Sequence, residues 1–428
     1  MAPYITNVVI DDPVRGQAIF SSWHTTAGII VALTAPFVGA AADAIGRRKP
    51  FLAFTTLVLA LGVIAQWWAL PDEQGWSLPM IGAIIVLCGV SYVWSEVLHN
   101  SMLVGTTAPE GVSRLSGLGL SLGNAASVLL LSIVLWAFAL PGTISAPFLP
   151  DAPLLGLNSA LHEPSRIVAP LCALWLLLLS WPLFAFTPDT VSSGRKLGPA
   201  LTEGVLNVFR TLRKLRDYRN IGFFLLARMF YADGKTAILI YSGVYASGVM
   251  GWGLIEMLVF GIFLQVFAVI GGFVSAWLDG SVGPKRAVAI EIAVTLACLI
   301  MMVSVSPTTI FFGIPIDPSA RVWDGPVFST WPELVYLGFS MVIAISITAA
   351  YASSRALMAR LAPPHMAGEL FGLYALAASA TAWLGPLLVG VFTTLYASQR
   401  AGFGAIAILL VIGFVLLLFV KPPPRFAA

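Results

Sequence analysis

The sequence is poor in charge. Asp, Glu, Lys and Arg make up 10% of its 428 residues, against about 25% in a typical soluble domain, which excludes a water-facing globular chain. Its three cysteines, Cys88, Cys172 and Cys298, all fall inside apolar runs, so a disulfide framework is excluded. The four histidines, His24, His99, His162 and His365, show no clustered spacing and give no metal site. No GxxxxGK[ST] string occurs, so ATP hydrolysis is not the energy source. Pairs such as Gly271-Gly272 are helix-packing positions rather than dinucleotide loops, and no cofactor is expected. No soluble domain exists for nucleic-acid work, and no catalytic constellation near a membrane face suggests an enzyme. The N-terminal MAPYITNVVIDDPVRGQ has a short apolar run and no basic n-region, so it is neither a signal peptide nor a span.

What remains is apolar: 58% of residues are hydrophobic, and the mean hydropathy is +0.91. A helix needs roughly 20 apolar residues to cross the hydrocarbon core. Eleven such stretches can be drawn, at 20–45, 51–70, 80–103, 115–140, 166–187, 220–247, 253–278, 286–305, 334–358, 369–396 and 402–420. In lipid every backbone polar group must be satisfied within the segment, so these are helices, and the period-2 pattern of a barrel is absent. The fold class is an all-α polytopic membrane protein.

Assigning alternate loops to alternate sides puts seventeen Lys and Arg on one side, among them Arg47, Arg48, Lys49, Lys285, Arg286, Arg355 and Arg360. The other side holds only Arg15, Arg166, Arg321 and Arg400. By the positive-inside bias the loop GRRKP and the C-terminus are cytoplasmic. The longest cytoplasmic segment, 188–219, separates an N-terminal half (1–187) from a C-terminal half (220–428). It contains LTEGVLNVFRTLRKLR, whose apolar residues recur at helical spacing among basic ones, as in an interfacial helix resting on anionic lipid.

The halves echo one another. Asp43-Ala-Ile-Gly46-Arg47-Arg48-Lys49 has a weaker counterpart in Asp279-Gly-Ser-Val-Gly283-Pro-Lys285-Arg286. At a separation of 255 residues, Pro109, Leu115, Gly117 and Leu118 match Pro364, Leu370, Gly372 and Leu373. Duplication about a central site is how many secondary transporters are built.

The loop with Gly39, Asp43, Gly46, Arg47 and Arg48 resembles the signature loop of the major facilitator superfamily. Small residues at and after Gly39 allow a close helix approach, and Asp43 suits the positive N-terminal end of a neighbouring helix. By resemblance that neighbour is the span beginning near Glu369, and the pair latches the cytoplasmic side. The same gating role extends to Asp279, Lys285, Arg286 and Arg355. Arg47, Arg48 and Lys49 serve as topology determinants in any case.

PEGVSRLSGLGLSLG (109–123), ARMFYADG (227–234), SSRALMARLAPP (353–364) and GELFGLYALAASATAWLGPLLVG (368–390) resemble the vacuolar amino-acid effluxer-like permeases of that superfamily, which have many bacterial relatives. The resemblance runs from about residue 3 to the last span, with FGLYAL…LGPLL its most specific part. It implies two six-helix halves and alternating access. The family's first helix carries a Tyr-Asp-Trp-Ala-Asn-Ser type motif that does not occur here. PYITNVV therefore reads as the last turn of that helix, followed by eleven spans.

Charges inside a membrane are costly unless they face a cavity or a partner, so each is a functional candidate. Arg228, Asp233 and Lys235 share the span 220–247. Arg228 and Lys235, seven residues apart, lie on one face, whereas Asp233 lies about 200° from Lys235. Asp233 is a candidate proton or amine site, with Arg228 or Lys235 meeting a carboxylate; a structural ion pair between helices is the competing assignment. Gly234 weakens the helix beside Asp233, and Tyr231 is an accessory candidate. Glu96, His99 and Asn100 lie on one face of the span 80–103, where a carboxylate beside a histidine suits a proton relay or a gate network near the cytoplasmic mouth. Glu256 and Glu291, close to span ends, read as solvated.

These features point to a monomeric secondary transporter in a bacterial inner membrane. Its partners are the lipid bilayer, protons and a small polar solute, with amino acids implied by the resemblance. A sensor or assembly factor that retains the fold without transporting is the alternative.

Overall fold

The computed structural model describes residues 1–45, 47–71, 74–103, 109–143, 147, 149–189, 213, 218–363 and 367–421, with the side chains of 35–36, 39–45, 100–101, 103, 109–118, 120–121 and 367–369 left out of the description. Most of the 188–219 segment and Gly46 therefore lie outside the described residues, as do the side chains of Asp43, Asn100 and Glu369 and the surroundings of Gly39.

Residues 2–9 form short helical turns. The long helices that follow are α1 (Pro13–Ile45), α2 (Lys49–Ala65), α3 (Leu78–Leu103), α4 (Pro109–Val134) and α5 (Val168–Phe186). After the linker come α6 (Arg219–Val249), α7 (Leu254–Ser281), α8 (Pro284–Val303), α9 (Trp331–Leu361), α10 (Ala367–Ala380), α11 (Leu384–Tyr396) and α12 (Gln399–Leu418). Two short antiparallel strands, Thr309–Ile310 and Ile314–Pro315, lie in the segment between α8 and α9. Among the described residues, nine helical segments are long and apolar enough to cross a membrane. The two expected spans not among them, α1 and α6, are nevertheless helices of 33 and 31 residues. Polar residues dilute their hydropathy, and these two helices supply most of the contacts described below.

Local chemistry sets several ends. α1 begins seven residues before the stretch read from hydropathy, because Asp12 Oδ1 accepts from the backbone N–H of Val14 and Arg15, both at 2.9 Å, an N-cap with Pro13 in the first turn. α9 opens on a capping box in which Glu333 accepts from both the N–H and the hydroxyl of Thr330. The single span expected over 369–396 is broken between Ala380 and Leu384. Pro386 has no N–H to give to the Ala382 carbonyl and lies in the first turn of the second piece, where no such bond is needed.

Two bundles result. α1, α2, α3 and α5 pack together on one side; α6, α8, α9, α10 and α12 do so on the other, with α7 against α9. Between the bundles, α1 packs against α10 and α11, and α4 packs against α7. The echoes in sequence make α1 the counterpart of α7 and α4 the counterpart of α10, so the two cross-contacts are symmetry mates of one another.

Among the described residues, the hydrogen bonds that join the bundles lie at the end away from the Arg47–Lys49 loop. Asn7 Nδ2 donates to Ser247 Oγ at 2.7 Å, Gln17 Nε2 to Thr393 Oγ1 at 2.7 Å, and Gln399 Nε2 to the Pro13 carbonyl at 2.8 Å. Nearby, α1 touches the break between α10 and α11. A Cβ at Gly28 would stand 2.7 Å from the backbone N and Cα of Trp383, so only glycine allows this approach.

Candidate functional site

The charged residues of α6 lie deep in the bundle. At 1.5 Å per residue, Arg228 is about 14 Å and Lys235 about 24 Å along the helix axis from its start. Both are buried, as are Tyr231 and Asp233. α6 runs unbroken through Gly234, contrary to the weakening expected there. The glycine serves packing instead: a Cβ would lie 3.0 Å from Leu410 of α12. In the same way Gly413 of α12 lets the backbone of Tyr231 come within 2.8 Å of where a Cβ would stand.

Tyrosines line the two cations. The Arg228 guanidinium carbon lies 3.6 Å from the ring centroid of Tyr374 on α10, and Lys235 Nζ lies 4.0 Å from that of Tyr351 on α9 and 5.2 Å from that of Tyr231. Cation–π contacts of this kind contribute about 0.5–2 kcal/mol, more where water is excluded. The hydroxyls of Tyr231 and Tyr374 both meet Ser354 Oγ, at 2.6 and 3.1 Å, which fixes the rings. Neither Arg228 nor Lys235 has a hydrogen-bonded acceptor among the described residues, and Arg228 Nη1 is fully buried without one. Buried charges are ordinarily paired, and the carboxylates within electrostatic reach are Glu291 for Lys235 and Glu96 for Arg228.

Asp233 is placed elsewhere. Its Oδ2 accepts the Gly385 N–H at 2.9 Å, in the first turn of α11, where the helix dipole favours a negative charge. The aspartate holds the restart of the broken helix, and its position away from Lys235 follows from the helical spacing.

Glu96, on α3 in the other bundle, has its side chain exposed and lies within electrostatic reach of Arg228 and Arg355. Charge of opposite sign thus faces itself across the junction of the halves. His99 is also exposed, and no hydrogen bond links it to Glu96 among the described residues.

Among the described gating candidates, Arg48 and Lys285 are anchored within their own halves. The backbone N–H groups of Arg48 and Lys49 donate to the Asp189 carboxylate at 3.0 and 3.4 Å, and Lys49 Nζ donates to the Phe184 carbonyl at 2.9 Å. Arg47 is exposed. In the second half, Lys285 Nζ donates to the Leu418 carbonyl at 3.2 Å, satisfying a helix C-terminus, and Arg286 is exposed. Asp279 faces Ser353 and Arg360.

One expectation is overturned. Glu291 is not solvated: it is 2% exposed, its Oε1 accepts from Ser353 Oγ at 3.0 Å, and its Oε2 is buried without a partner. Its neighbours in charge are Lys235 and Asp279. Position near a span end misled, because α9 and α12 cover this turn of α8. A lone carboxylate in a stretch, Ala287 to Val303, whose other residues are small or apolar was the available signal.

Two bundles of transmembrane helices meeting at a polar centre define a transporter of the major facilitator type, a multi-pass integral membrane protein. The fold agrees with solved structures: the inward open conformation of the xylose transporter XylE from E. coli covers 99% of this chain and 91% of its own, with TM-score 0.62 and 11% identity. A bacterial homologue of the iron transporter ferroportin, in an inward-facing state, gives TM-score 0.59 at 15% identity over 97% and 92% of the two chains. Within that class, the family model "Vacuole effluxer Atg22 like" matches residues 107–423, and the chain belongs to this family. It is similar to the uncharacterized MFS-type transporter YxiO of Bacillus subtilis (strain 168), 25% identical over 403 residues that cover 91% of this chain and 82% of that protein. It is also similar to autophagy-related protein 22 of Cryptococcus neoformans var. neoformans serotype D (strain B-3501A), 22% identical over 202 residues, 47% of this chain and 35% of that protein.

Proposed function

We propose that the protein moves small polar solutes, amino acids first among them, out of a bacterial cytoplasm across the inner membrane by alternating access. The observation that carries this reading is the pair of buried cations, Arg228 and Lys235, walled by Tyr231, Tyr351 and Tyr374 and without a hydrogen-bond acceptor among the described residues. A solute carboxylate supplies the missing acceptor, and a guanidinium held flat on a ring still offers its edge for a bidentate contact. Glu96, facing Arg228 and Arg355 from the other half, gives a charge that the solute displaces as the halves rock.

The family supports efflux, and the placement of Lys and Arg supports a cytoplasmic C-terminus. The Asn7, Gln17 and Gln399 contacts then close the outer side, leaving the central site approachable from the cytoplasm. Asp43 and Glu369 keep their proposed part in the cytoplasmic latch, with Arg355 opposite Glu96. Asp279, Lys285 and Arg286 hold the equivalent corner of the second half. The working unit in this reading is one chain in the lipid bilayer, without a cofactor.

Proteoliposomes preloaded with a mixture of radiolabelled amino acids test the reading. Release above that from empty vesicles, lost in Arg228→Gln, is expected. Release indistinguishable from empty vesicles for every amino acid, from folded protein, refutes it.

A further inference from the structure

Glu291, the one carboxylate of α8, is 2% exposed and has been given no role above. A carboxylate offers about four lone-pair sites, and among the described residues the one hydrogen bond to it comes from Ser353. Ser353 is itself 0% exposed and meets Ser275 Oγ at 2.9 Å, so α7, α8 and α9 are joined at one point. Asp279, one turn beyond Ser275 on α7, also faces Ser353 and has a buried oxygen, Oδ1, without a partner. Two carboxylates therefore stand beside one serine, which donates to Glu291, and each has a buried oxygen without a hydrogen-bond partner among the described residues.

Such orphaned acceptors each cost about 1–3 kcal/mol, and like charges in one pocket disfavour double ionisation. A single proton on one of the two carboxyls removes the repulsion between them and the cost of burying a second charge. A metal ion fits less well. Among the described residues no group of three His, Cys, Asp or Glu side chains comes together, and the Lys235 ammonium already occupies the positive place beside Glu291.

The order of groups gives a direction. Asp279 is half-buried near the end of α7, on the side of the Arg47–Lys49 loop, with Arg360 as its cationic neighbour. Ser353 and Glu291 follow inward, and Lys235 lies at the central site. The charged or titratable groups facing Glu291 are Lys235 and Tyr231 from α6 and Asp279 from α7, with the Ser353 hydroxyl from α9. The only charged residue of α12 is Arg400, at its far end.

We propose that Glu291 is a proton site of this protein, loaded from the loop-side mouth through Asp279 and Ser353, and that its charge state controls Lys235. This rests on the transporter reading. A proton from water enters on the Asp279 carboxylate; the Ser353 hydroxyl accepts it while passing its own proton to Glu291 Oε1, and no charge is left on the serine. With Glu291 ionised, Lys235 is held by that neighbour. With Glu291 neutral, the full charge of Lys235 turns to the solute in the centre, so proton uptake and binding of an anionic group reinforce each other.

Infrared difference spectra of the full chain in liposomes, titrated with acid, test the site without any substrate. A protonated-carboxyl C=O band is expected that is lost in Glu291→Gln, shifted in midpoint in Asp279→Asn and Ser353→Ala, and kept in Asp233→Asn. Persistence of the band in Glu291→Gln, or absence of any titrating carboxyl band in the unaltered chain, overturns the proposal. Should Glu291→Gln fail to fold, an unmoved midpoint in Ser353→Ala overturns it equally. A second arm measures amino-acid exchange in proteoliposomes: Glu291→Gln is expected to lose the pH-driven component of flux while retaining exchange. Equal pH-driven flux in that variant sinks the proton site alone, whereas no flux of any kind from the unaltered chain sinks the transporter reading and leaves the infrared result standing.

Discussion

Replacing Gly28 by alanine isolates one contact on which the arrangement of the two halves depends. The added Cβ would stand 2.7 Å from the N and Cα of Trp383 and 2.8 Å from the carbonyl carbon of Ala382. Ordinary carbon contacts lie at about 3.5–4.0 Å, so α1 and the α10–α11 break must part by about an ångström. The opposing atoms are backbone, and no rotamer change relieves them. Overpacking of this kind costs about 1–3 kcal/mol. The cost falls only on the arrangement in which α1 touches the break, so at 1.4 kcal/mol per tenfold the balance shifts about 5- to 150-fold toward the alternative. Spin labels on exposed positions at the closed end, Leu395 of α11 and Trp76 between α2 and α3, report the separation of the halves by pulsed dipolar spectroscopy. The background needs Cys172→Ser, since that cysteine is exposed while Cys88 and Cys298 are buried. A longer distance population should grow in Gly28→Ala and dominate in Gly28→Leu. Identical distance distributions in folded Gly28→Ala and the parent would show that this contact does not govern the closed end.

Gln17→Leu removes the donor to Thr393 and Gln399 and leaves buried polar groups unmatched, a loss of about 1–3 kcal/mol; the same distance measurement should lengthen, and an unchanged distribution counts against the latch. Gly413→Ala puts a methyl 2.8 Å from the Tyr231 backbone and should lower the thermal midpoint in detergent, with overpacking of about 1–3 kcal/mol. A midpoint at or above that of the parent refutes the packing argument. Asp233→Ala loses the cap on α11 and should destabilise by about 0.5–2 kcal/mol, whereas Asp233→Asn keeps an acceptor for the Gly385 N–H and should cost much less. Equal losses in thermal stability for the two would assign Asp233 a charge role instead.

Much of the architecture was legible before any coordinates. Hydrocarbon forces backbone groups to bond within a segment, so a chain with eleven apolar stretches and little charge had to be helical. The echo of Asp43 to Arg48 in Asp279 to Arg286 pairs α1 with α7, and the contacts between halves follow that pairing. Helical spacing also placed Arg228 and Lys235 on one face and Asp233 on another, because the period of an α-helix is fixed locally.

What the sequence left open depends on which helix lies next to which. The residues that complete the central site, Tyr351, Ser354 and Tyr374, lie more than a hundred positions from Arg228; Ser354 and Tyr374 fall in strings that mark the family, yet nothing in those strings assigns them to this site. Glu291 looked like a carboxylate near a helix end, and only the packing of α8 against α9 and α12 shows that water does not reach it. Gly234 read as a helix weakness; together with Gly413 it is instead the space that lets α6 and α12 lie close. Pattern along one helix is set by bond geometry and solvent, whereas the meeting of side chains from different helices is set by the whole packed bundle, and the chemistry of this protein sits at those meetings.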